Sequence, residues 1–288
     1  MVRLRREMEG LEVDAERTPP PWMADEVVRT HLDADVLASI AALPHDGPGQ
    51  VLAVGVPTEL LWRLAEGSGR ILVVESDPER AQRIVGEAAE RRLGTRLTVQ
   101  RRSYASISFE RSAFRLAILY DEVNRYGNPV NVVRKCAREL TVGGTMVLRM
   151  VVRPRLRLDL RGLDALRRVP AWLQRRVARA RELPEAAVLG RRWAVDLETL
   201  LEGVRDLVQV ERIDHPHVVA PALAAVAAAA PAPARRAARR ALAAVASLDR
   251  RLLAWAGADV ATTAVLVGSK SLGFGRVFTL REQPSAPR

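Results

Sequence analysis

The stretch VLAVGVPTELLWRLAEGSGRILVVESD, residues 51–77, decides how this chain folds. It contains two short apolar runs, residues 51–54 and 71–74, each the length of a strand and bounded by turn residues. Between them lies a helix-length segment that places Leu60, Leu61 and Leu64 on one face. This order predicts a βαβ unit, whose strands pair in parallel because a helix carries the crossover.

Two residues of this unit, Gly55 and Glu75, follow the two strands directly. Because such crossovers are almost always right-handed, both residues are expected at the carboxyl edge of the sheet. In an open α/β sheet, ligands bind at that edge. Gly55 has no side chain, so a ligand can approach its backbone closely. Glu75 offers a carboxylate suited to a ribose diol. The sequence therefore predicts a ligand site at this edge.

The composition favours a globular protein. Of the 288 residues, 48% are hydrophobic, which is ample for a core. The formal charge of +11 is typical of proteins with anionic partners. However, every basic residue except Lys135 and Lys270 is arginine, and alanine is abundant. A GC-rich coding bias also produces abundant arginine together with abundant alanine. The positive charge is therefore explained either by an anionic partner or by this bias.

Few residues suggest a disulfide, a metal site or a membrane segment. Cys136 is the single cysteine, which excludes a disulfide framework within the chain. The four histidines lack carboxylates at metal-ligand spacing, so no metal is expected. Residues 1–16 lack an apolar signal core, and residues 218–234 are mostly alanine and broken by prolines. We expect a soluble cytoplasmic protein.

The rest of the chain continues the alternation of helix and strand. A leading helix is predicted over residues 22–43. Asp77 and Pro78 are good N-terminal helix residues, and Asn128 and Asp196 begin further helices. Gly143 and Gly144 predict a sharp turn into a strand. The later strands are expected at residues 97–99, 114–120, 145–152, 207–213 and 262–269.

This ordered set resembles the class I S-adenosylmethionine-dependent methyltransferases. The resemblance rests on VLAVG, on the acid after the second strand, on AILYDEVNRY after the fourth, on ELTVGGTMVLRM and on VLVGSK in the last strand. It spans residues 51–152, 196–213 and 260–270. It implies an α/β, doubly wound, Rossmann-like sheet of seven strands, mostly parallel, with an antiparallel last strand inserted between the fifth and sixth. A dinucleotide-binding protein is the rival, but its G-x-G-x-x-G motif is absent.

The chain departs from the family pattern in the glycine loop, where the family usually reads V-L-D-x-G-x-G-x-G. Here the loop is VLAVGVPTEL, so Ala53 replaces the acid, and bulkier residues stand where the family has small ones. Arg115 stands where the family usually has Asp, and Arg125 where some members have His.

The resemblance implies S-adenosylmethionine as cofactor and a specific set of contacts. Gly55, Val56 and Pro57 would line its methionine side. Glu75 and Ser76 would meet the ribose. The remaining implied positions are Ser103 and Tyr104 beside the adenine and Asp121 near the sulfonium.

No catalytic residue is assigned. His215 and His217, on either side of Pro216, are the candidate bases, or else plain surface histidines. Two functions are considered. The first is methyl transfer to a small-molecule or lipid-like acceptor. The alternative is a catalytically inactive protein of this fold that binds or scaffolds, with the membrane periphery as one location.

Five regions are predicted. Residues 1–44 form an arm and leading helix, 45–152 the cofactor-binding core, 153–195 an Arg-rich helical cap, 196–280 the rest of the core, and 281–288 a tail. Residues 220–258 are an Ala/Arg-rich helical insertion. The cap has ten arginines over residues 153–181 along an apolar stripe. It suits a substrate lid or an anionic membrane surface. Few aromatics interleave with the arginines, so nucleic acid is the least favoured partner. The sequence leaves the oligomeric state open.

Overall fold

A single seven-stranded sheet organises the molecule, which we describe from a computed structural model over residues 26–43, 50–67, 69–154, 194–218, 245 and 248–271. The strand order is β3-β2-β1-β4-β5-β7-β6. β7 runs antiparallel to both of its neighbours, β5 and β6, and the other pairs are parallel. The strands are β1 Gln50–Val54, β2 Arg70–Val74, β3 Leu97–Gln100, β4 Phe114–Tyr120, β5 Leu140–Val151, β6 Val208–Asp214 and β7 Thr263–Lys270. The predicted fold, with its inserted antiparallel strand, is confirmed.

Helices connect and cover these strands in the described part of the chain. Asp77 caps one of them through bonds from the amides of Glu79 and Arg80, as its sequence predicts. The side chains of Asn128 and Asp196 cap two others. The helices are α1 Glu26–Leu32, α2 Ala34–Ala41, α3 Thr58–Gly67, α4 Pro78–Glu90, α5 Pro129–Glu139 and α6 Leu197–Val204. Residues 248–256 are also helical.

The predicted βαβ unit forms as expected. β1 and β2 pair in parallel without slippage, from Gln50 opposite Arg70 to Val54 opposite Val74. The leucine face of α3 is fully buried, because it packs on one side of the sheet with α2 and α4. The other side of the sheet packs against α5 and α6. Two apolar layers therefore sandwich the sheet and hold its strand ends in place.

The leading helix is interrupted, whereas the sequence predicts one continuous helix. It divides into α1 and α2 at Asp33, whose buried carboxylate takes part in ion pairs described below. Residues 22–25 lie outside the described residues. An apolar periodicity does not report such an interruption, nor the contacts that Asp33 makes with distant parts of the chain.

The predicted turn at Gly143 and Gly144 is also wrong in form. β5 already starts at Leu140, and its pairing with β4 shifts between Leu140 and Thr145. The extra residues form an irregularity within the strand, with Gly143 at φ +72°. A Cβ atom on Gly144 would lie 2.9 Å from the carbonyl oxygen of Thr141, so the glycine permits this close passage.

Several predictions fall outside the described residues. They are the N-terminal arm, almost the whole cap (residues 155–193), most of the Ala/Arg-rich insertion (219–244), the last part of the core (272–280) and the tail (281–288). The domain boundaries therefore stay predictions. Over the described ranges, no helix has the length and apolar character needed to cross a membrane.

Candidate functional site

The carboxyl ends of β1, β2 and β4 and the loops after them meet at one edge, which we call the strand-end site. Gly55 turns the chain out of β1 at φ +64°. A Cβ atom there would lie 2.8 Å from the carbonyl oxygen of Tyr120, so only glycine passes the end of β4 without strain. Val56 and Pro57 follow, and both are buried. The bulky loop residues thus pack inward as part of the core.

Glu75 directly follows β2, as predicted, but its carboxylate already has partners. The side chain is buried, with 5% of the residue exposed. One oxygen accepts a bond from the amide of Asp77 at 3.0 Å, and the other accepts from the guanidinium of Arg80. Arg80 also donates to the carbonyl of Val56. An arginine of α4 therefore joins the end of β2 to the loop after β1.

Helix α1 lies over the same loop and extends this ion pairing. Glu26 accepts bonds from the amide and hydroxyl of Thr58 and lies 3.4 Å from Arg80. Burial tends to raise the pKa of the Glu26 carboxyl, but the charge of Arg80 and the bonds from Thr58 lower that pKa overall. Arg29, one turn later, donates to the carbonyl of Gly55 at 2.7 Å. Glu26 and Arg29 thus hold α1 on the strand-end site.

A second ionic cluster lies beside β4. Asp121 follows β4 with φ +58° and is ion-paired with Arg149 of β5. Arg149 is only 1% exposed. Arg149 also lies 3.0 Å from the carboxylate of Asp33. Burial tends to raise the pKa of the Asp33 carboxyl, but the charge of Arg149 and the hydrogen bond from His217 lower that pKa overall. Burial raises the pKa of Asp121, against the opposing charges of Arg149 and Arg29.

His217 is not the surface histidine that the sequence allowed. It is 4% exposed, and its Nε2 atom lies 2.7 Å from Asp33. Its Nδ1 atom lies 3.8 Å from a carboxylate oxygen of Asp249. Asp33 also accepts a bond from the hydroxyl of Tyr120. His217 therefore reaches the end of β4 through Asp33, but its ring is held between two carboxylates.

His215 differs in position and environment. It is half-buried, and burial lowers the pKa of its imidazole. Its Nδ1 atom has no hydrogen-bond partner in the described part of the chain. It follows β6, which β5 and β7 separate from β4. At about 4.8 Å per strand, this separation is about 14 Å.

The remaining predicted residues divide into two groups. Ser76 accepts a bond from Arg125 at 2.7 Å, and Ser103 lies 2.9 Å from the hydroxyl of Tyr126. Both serines thus face the loop after β4. Tyr104 lies in the apolar core, where its hydroxyl donates to Glu139 of α5 at 2.6 Å. The structure therefore brings Gly55, Glu75, Ser76, Ser103 and Asp121 to one edge, and packs the side chains of Val56, Pro57 and Tyr104 inward.

Sequence reasoning missed the arginines that dominate this edge. Arg149 sits in the apolar run TMVLRMVV, where a lone charge signals a buried partner. Arg80 lies five residues after Glu75, so the first turn of α4 brings it back to the end of β2. No comparable signal in the sequence of α1 marks Arg29 as a residue of this edge. Among the described residues, no group of histidine, cysteine or acidic side chains is arranged to hold a metal ion.

Comparison with known proteins agrees with this architecture. None of the protein-family models matches the chain, and no curated protein matches it either. Several solved structures are similar. The cyclase SpnF has a TM-score of 0.53 and 19% identity over 85% of this chain and 81% of its own. An S-adenosylmethionine-dependent methyltransferase from Mesorhizobium loti has a TM-score of 0.52 and 15% identity over 84% and 99%.

A third similar structure is geranyl diphosphate C-methyltransferase from Streptomyces coelicolor A3(2), in complex with Mg²⁺, geranyl diphosphate and S-adenosylhomocysteine. It has a TM-score of 0.50 and 11% identity over 83% of this chain and 80% of its own. At these identities the likeness concerns architecture. The strand order and the antiparallel β7 agree with it, so the chain has the fold of the class I S-adenosylmethionine-dependent methyltransferases.

Proposed function

We propose that the chain binds S-adenosylmethionine at the strand-end site and transfers its methyl group to a small-molecule or lipid-like acceptor. The observation that supports this most is the pairing of a positive-φ glycine turn after β1 with a carboxylate at the end of β2. Both stand where a doubly wound sheet binds its ligand. The similar structures named above are a cyclase and two methyltransferases, so they lend no support to the inactive scaffolding alternative.

The side chains present fit this cofactor in chemical type. A carboxylate has about four acceptor sites, and Glu75 uses two of them, so it retains capacity for ribose hydroxyls. Arg29 supplies a guanidinium beside Gly55, and its buried Nε atom has no hydrogen-bond partner among the described residues. A guanidinium is a good partner for the carboxylate of an amino-acid moiety.

When bound, S-adenosylmethionine supplies a methyl group on a sulfonium that is already activated. The chain then has to bind, orient and exclude water. Glu75 and Ser76 would hold the ribose, and Gly55 with its neighbours Val56 and Pro57 would line the amino-acid side. Ser103 would bond the adenine, and buried Tyr104 would support the backbone beside it.

Asp121 would lie near the sulfonium, and Arg149 and Arg29 balance its charge. Helix α1 covers the edge through Arg29 and Glu26, which keeps water away from the reacting atoms. Arg80 is the departure from a simple ribose site. We infer that it shares the Glu75 carboxylate with the ribose, or turns away from it, when the cofactor binds.

Calorimetric titration with S-adenosylmethionine and S-adenosylhomocysteine tests this proposal. Wild-type protein is expected to bind both, and Glu75→Gln to bind at least about tenfold more weakly, because a charged acceptor is lost. Glu79→Gln is the matched control, since Glu79 is an exposed acid of the same region. Thermal unfolding of each variant shows that it is folded. Failure of the folded wild-type protein to bind either compound would overturn the proposal.

A further inference from the structure

A pocket, which we call the basic pocket, lies at the edge of the sheet opposite the strand-end site. Arg111 and Ser112 lie just before β4, and Arg138 lies in the last turn of α5. Lys270 ends β7, which runs against the other strands and so brings its last residue to this edge. The pocket measures about 210 Å³ and is lined by Arg111, Ser112, Ala137, Arg138, Leu207, Lys270 and Ser271.

The three cationic side chains of the basic pocket come from three different elements and lie around one cavity. Across the described ranges, none of Arg111, Arg138 and Lys270 is paired with a carboxylate. By contrast, Arg80 and Arg149 at the strand-end site each have carboxylate partners. None of the seven described residues that line the basic pocket is acidic. Three like charges around one cavity repel one another unless an anion lies between them.

Lys270 is held in place within this pocket. Its ammonium donates to the carbonyl of Leu140 at 2.6 Å and, over 3.4 Å, to that of Arg138. An ammonium has three N–H donors, so one remains. Partial burial and the nearby charge of Arg111 lower the pKa of Lys270. The amide of Ser112 also donates to the carbonyl of Arg138, at 3.2 Å, which fixes the loop before β4 against α5.

We propose that the basic pocket binds a phosphoryl group. A phosphate offers several acceptor oxygens, and the spare donors of Lys270 and the two guanidinium groups are suited to them. Pockets for complete drug-sized ligands measure roughly 300–1,000 Å³, so this smaller pocket suits one phosphoryl group with part of its carrier. The group belongs either to a small phosphorylated compound or to a lipid headgroup.

A purely structural role explains only part of the arrangement. Lysine near a helix C-terminus commonly bonds free carbonyl groups, which accounts for the contacts of Lys270. It does not account for Arg111, which comes from a different loop and raises the local positive charge. An anion bound between Arg111 and Arg138 would account for the position of Arg111 beside Lys270.

Titration with inorganic phosphate at constant ionic strength tests the proposal. Wild-type protein is expected to bind phosphate, and Arg111→Gln and Lys270→Gln each to bind about tenfold more weakly, because each removes one charged donor. Arg83→Gln is the matched control, since it removes one exposed arginine on α4 and should leave phosphate binding unchanged. Binding of S-adenosylhomocysteine should be the same in all four proteins, so this test is independent of the strand-end site.

Co-sedimentation with vesicles distinguishes the two sources of the phosphoryl group. Vesicles of phosphatidylcholine with and without phosphatidic acid are compared, using wild-type protein and Arg111→Gln. Binding only to phosphatidic acid vesicles, lost in Arg111→Gln, assigns the pocket to a lipid headgroup. Phosphate binding without vesicle binding assigns it to a small phosphorylated compound. The proposal is overturned if wild-type protein binds neither, or if Arg83→Gln weakens binding as much as Arg111→Gln does.

Discussion

At the scale of single residues, the strand-end site is built from charges that are removed from water. Arg149 and Asp33 are each only 1% exposed, and they lie 3.0 Å apart. Burying such charges is costly, and loss of one partner leaves the other uncompensated. The cluster therefore fixes the ends of β4 and β5 in one arrangement, and substitutions within it have consequences that far exceed those of surface pairs.

Replacing Arg149 by methionine tests this argument. The variant leaves Asp33 and Asp121 buried without their main counter-charge. We expect the free energy of unfolding to fall by about 3–5 kcal/mol. Arg63→Met is the control, because among the described residues Arg63 pairs only with exposed Glu59, and a loss of about 0.3–0.5 kcal/mol is expected there. Urea denaturation measures both. Similar losses in the two variants would mean that the buried cluster contributes no more than a surface pair.

Gly55 is a second residue whose role the structure makes testable. Gly55→Ala places a methyl group at φ +64°, about 2.8 Å from the carbonyl of Tyr120. A strained backbone of this kind costs about 1–3 kcal/mol, which urea denaturation should detect as a loss of stability.

Gly86→Ala supplies the matched comparison for Gly55→Ala. Gly86 lies within α4, and a Cβ atom there would meet nothing within 4 Å. In a helix interior the exchange should stabilise by about 0.5–1 kcal/mol. If Gly55→Ala were as well tolerated as Gly86→Ala, the loop after β1 would be more adaptable than its contacts indicate.

At the scale of elements, the leading helix was predicted less accurately than the strands. Periodicity predicts that residues 22–43 are helical, but not that Asp33 divides the helix. The reason is that the partners of Asp33 include His217, 184 residues away in sequence. Local patterns report local geometry, and such a contact has no local signature.

The strands were easier to predict than the contacts between their ends. Apolar runs and flanking turn residues gave β1, β2 and β4 to within a residue. The sequence also gave Glu75 its place at the end of β2. The pairing of Glu75 with Arg80, and of Asp121 with Arg149, needed the three-dimensional structure, because many arginines in the chain were equally plausible partners.

The contact between α1 and the loop after β1 can be measured by hydrogen exchange at the amide of Thr58. Thr58 donates its N–H to the carboxylate of Glu26. In Glu26→Ala this bond is lost, and hydrogen exchange at the Thr58 amide should become about tenfold faster or more, since charge-assisted bonds contribute about 1.5–3 kcal/mol. Glu59→Ala, which alters the exposed next residue, should leave the Thr58 amide unchanged. Unchanged exchange in Glu26→Ala would show that α1 does not rest on this loop in solution.

At the scale of the whole molecule, the sheet order and the antiparallel β7 establish the fold. A fold of this kind serves many activities, so function has to be argued from the site. The strand-end site gathers a carboxylate, a positive-φ glycine and an arginine where such sheets bind ligands. The basic pocket lies at the other edge, which allows the two sites to bind independently.

Hydrogen exchange of the wild-type protein, with and without saturating S-adenosylhomocysteine, tests the central claim most directly. The account predicts slower exchange in the loops after β1, β2 and β4 and at α1, because the ligand would contact Gly55, Glu75 and Arg29 there. The loop before β4, which borders the basic pocket, should not change. No change in any segment, or slower exchange confined to the edge that holds the basic pocket, would contradict the assignment of the strand-end site to the cofactor.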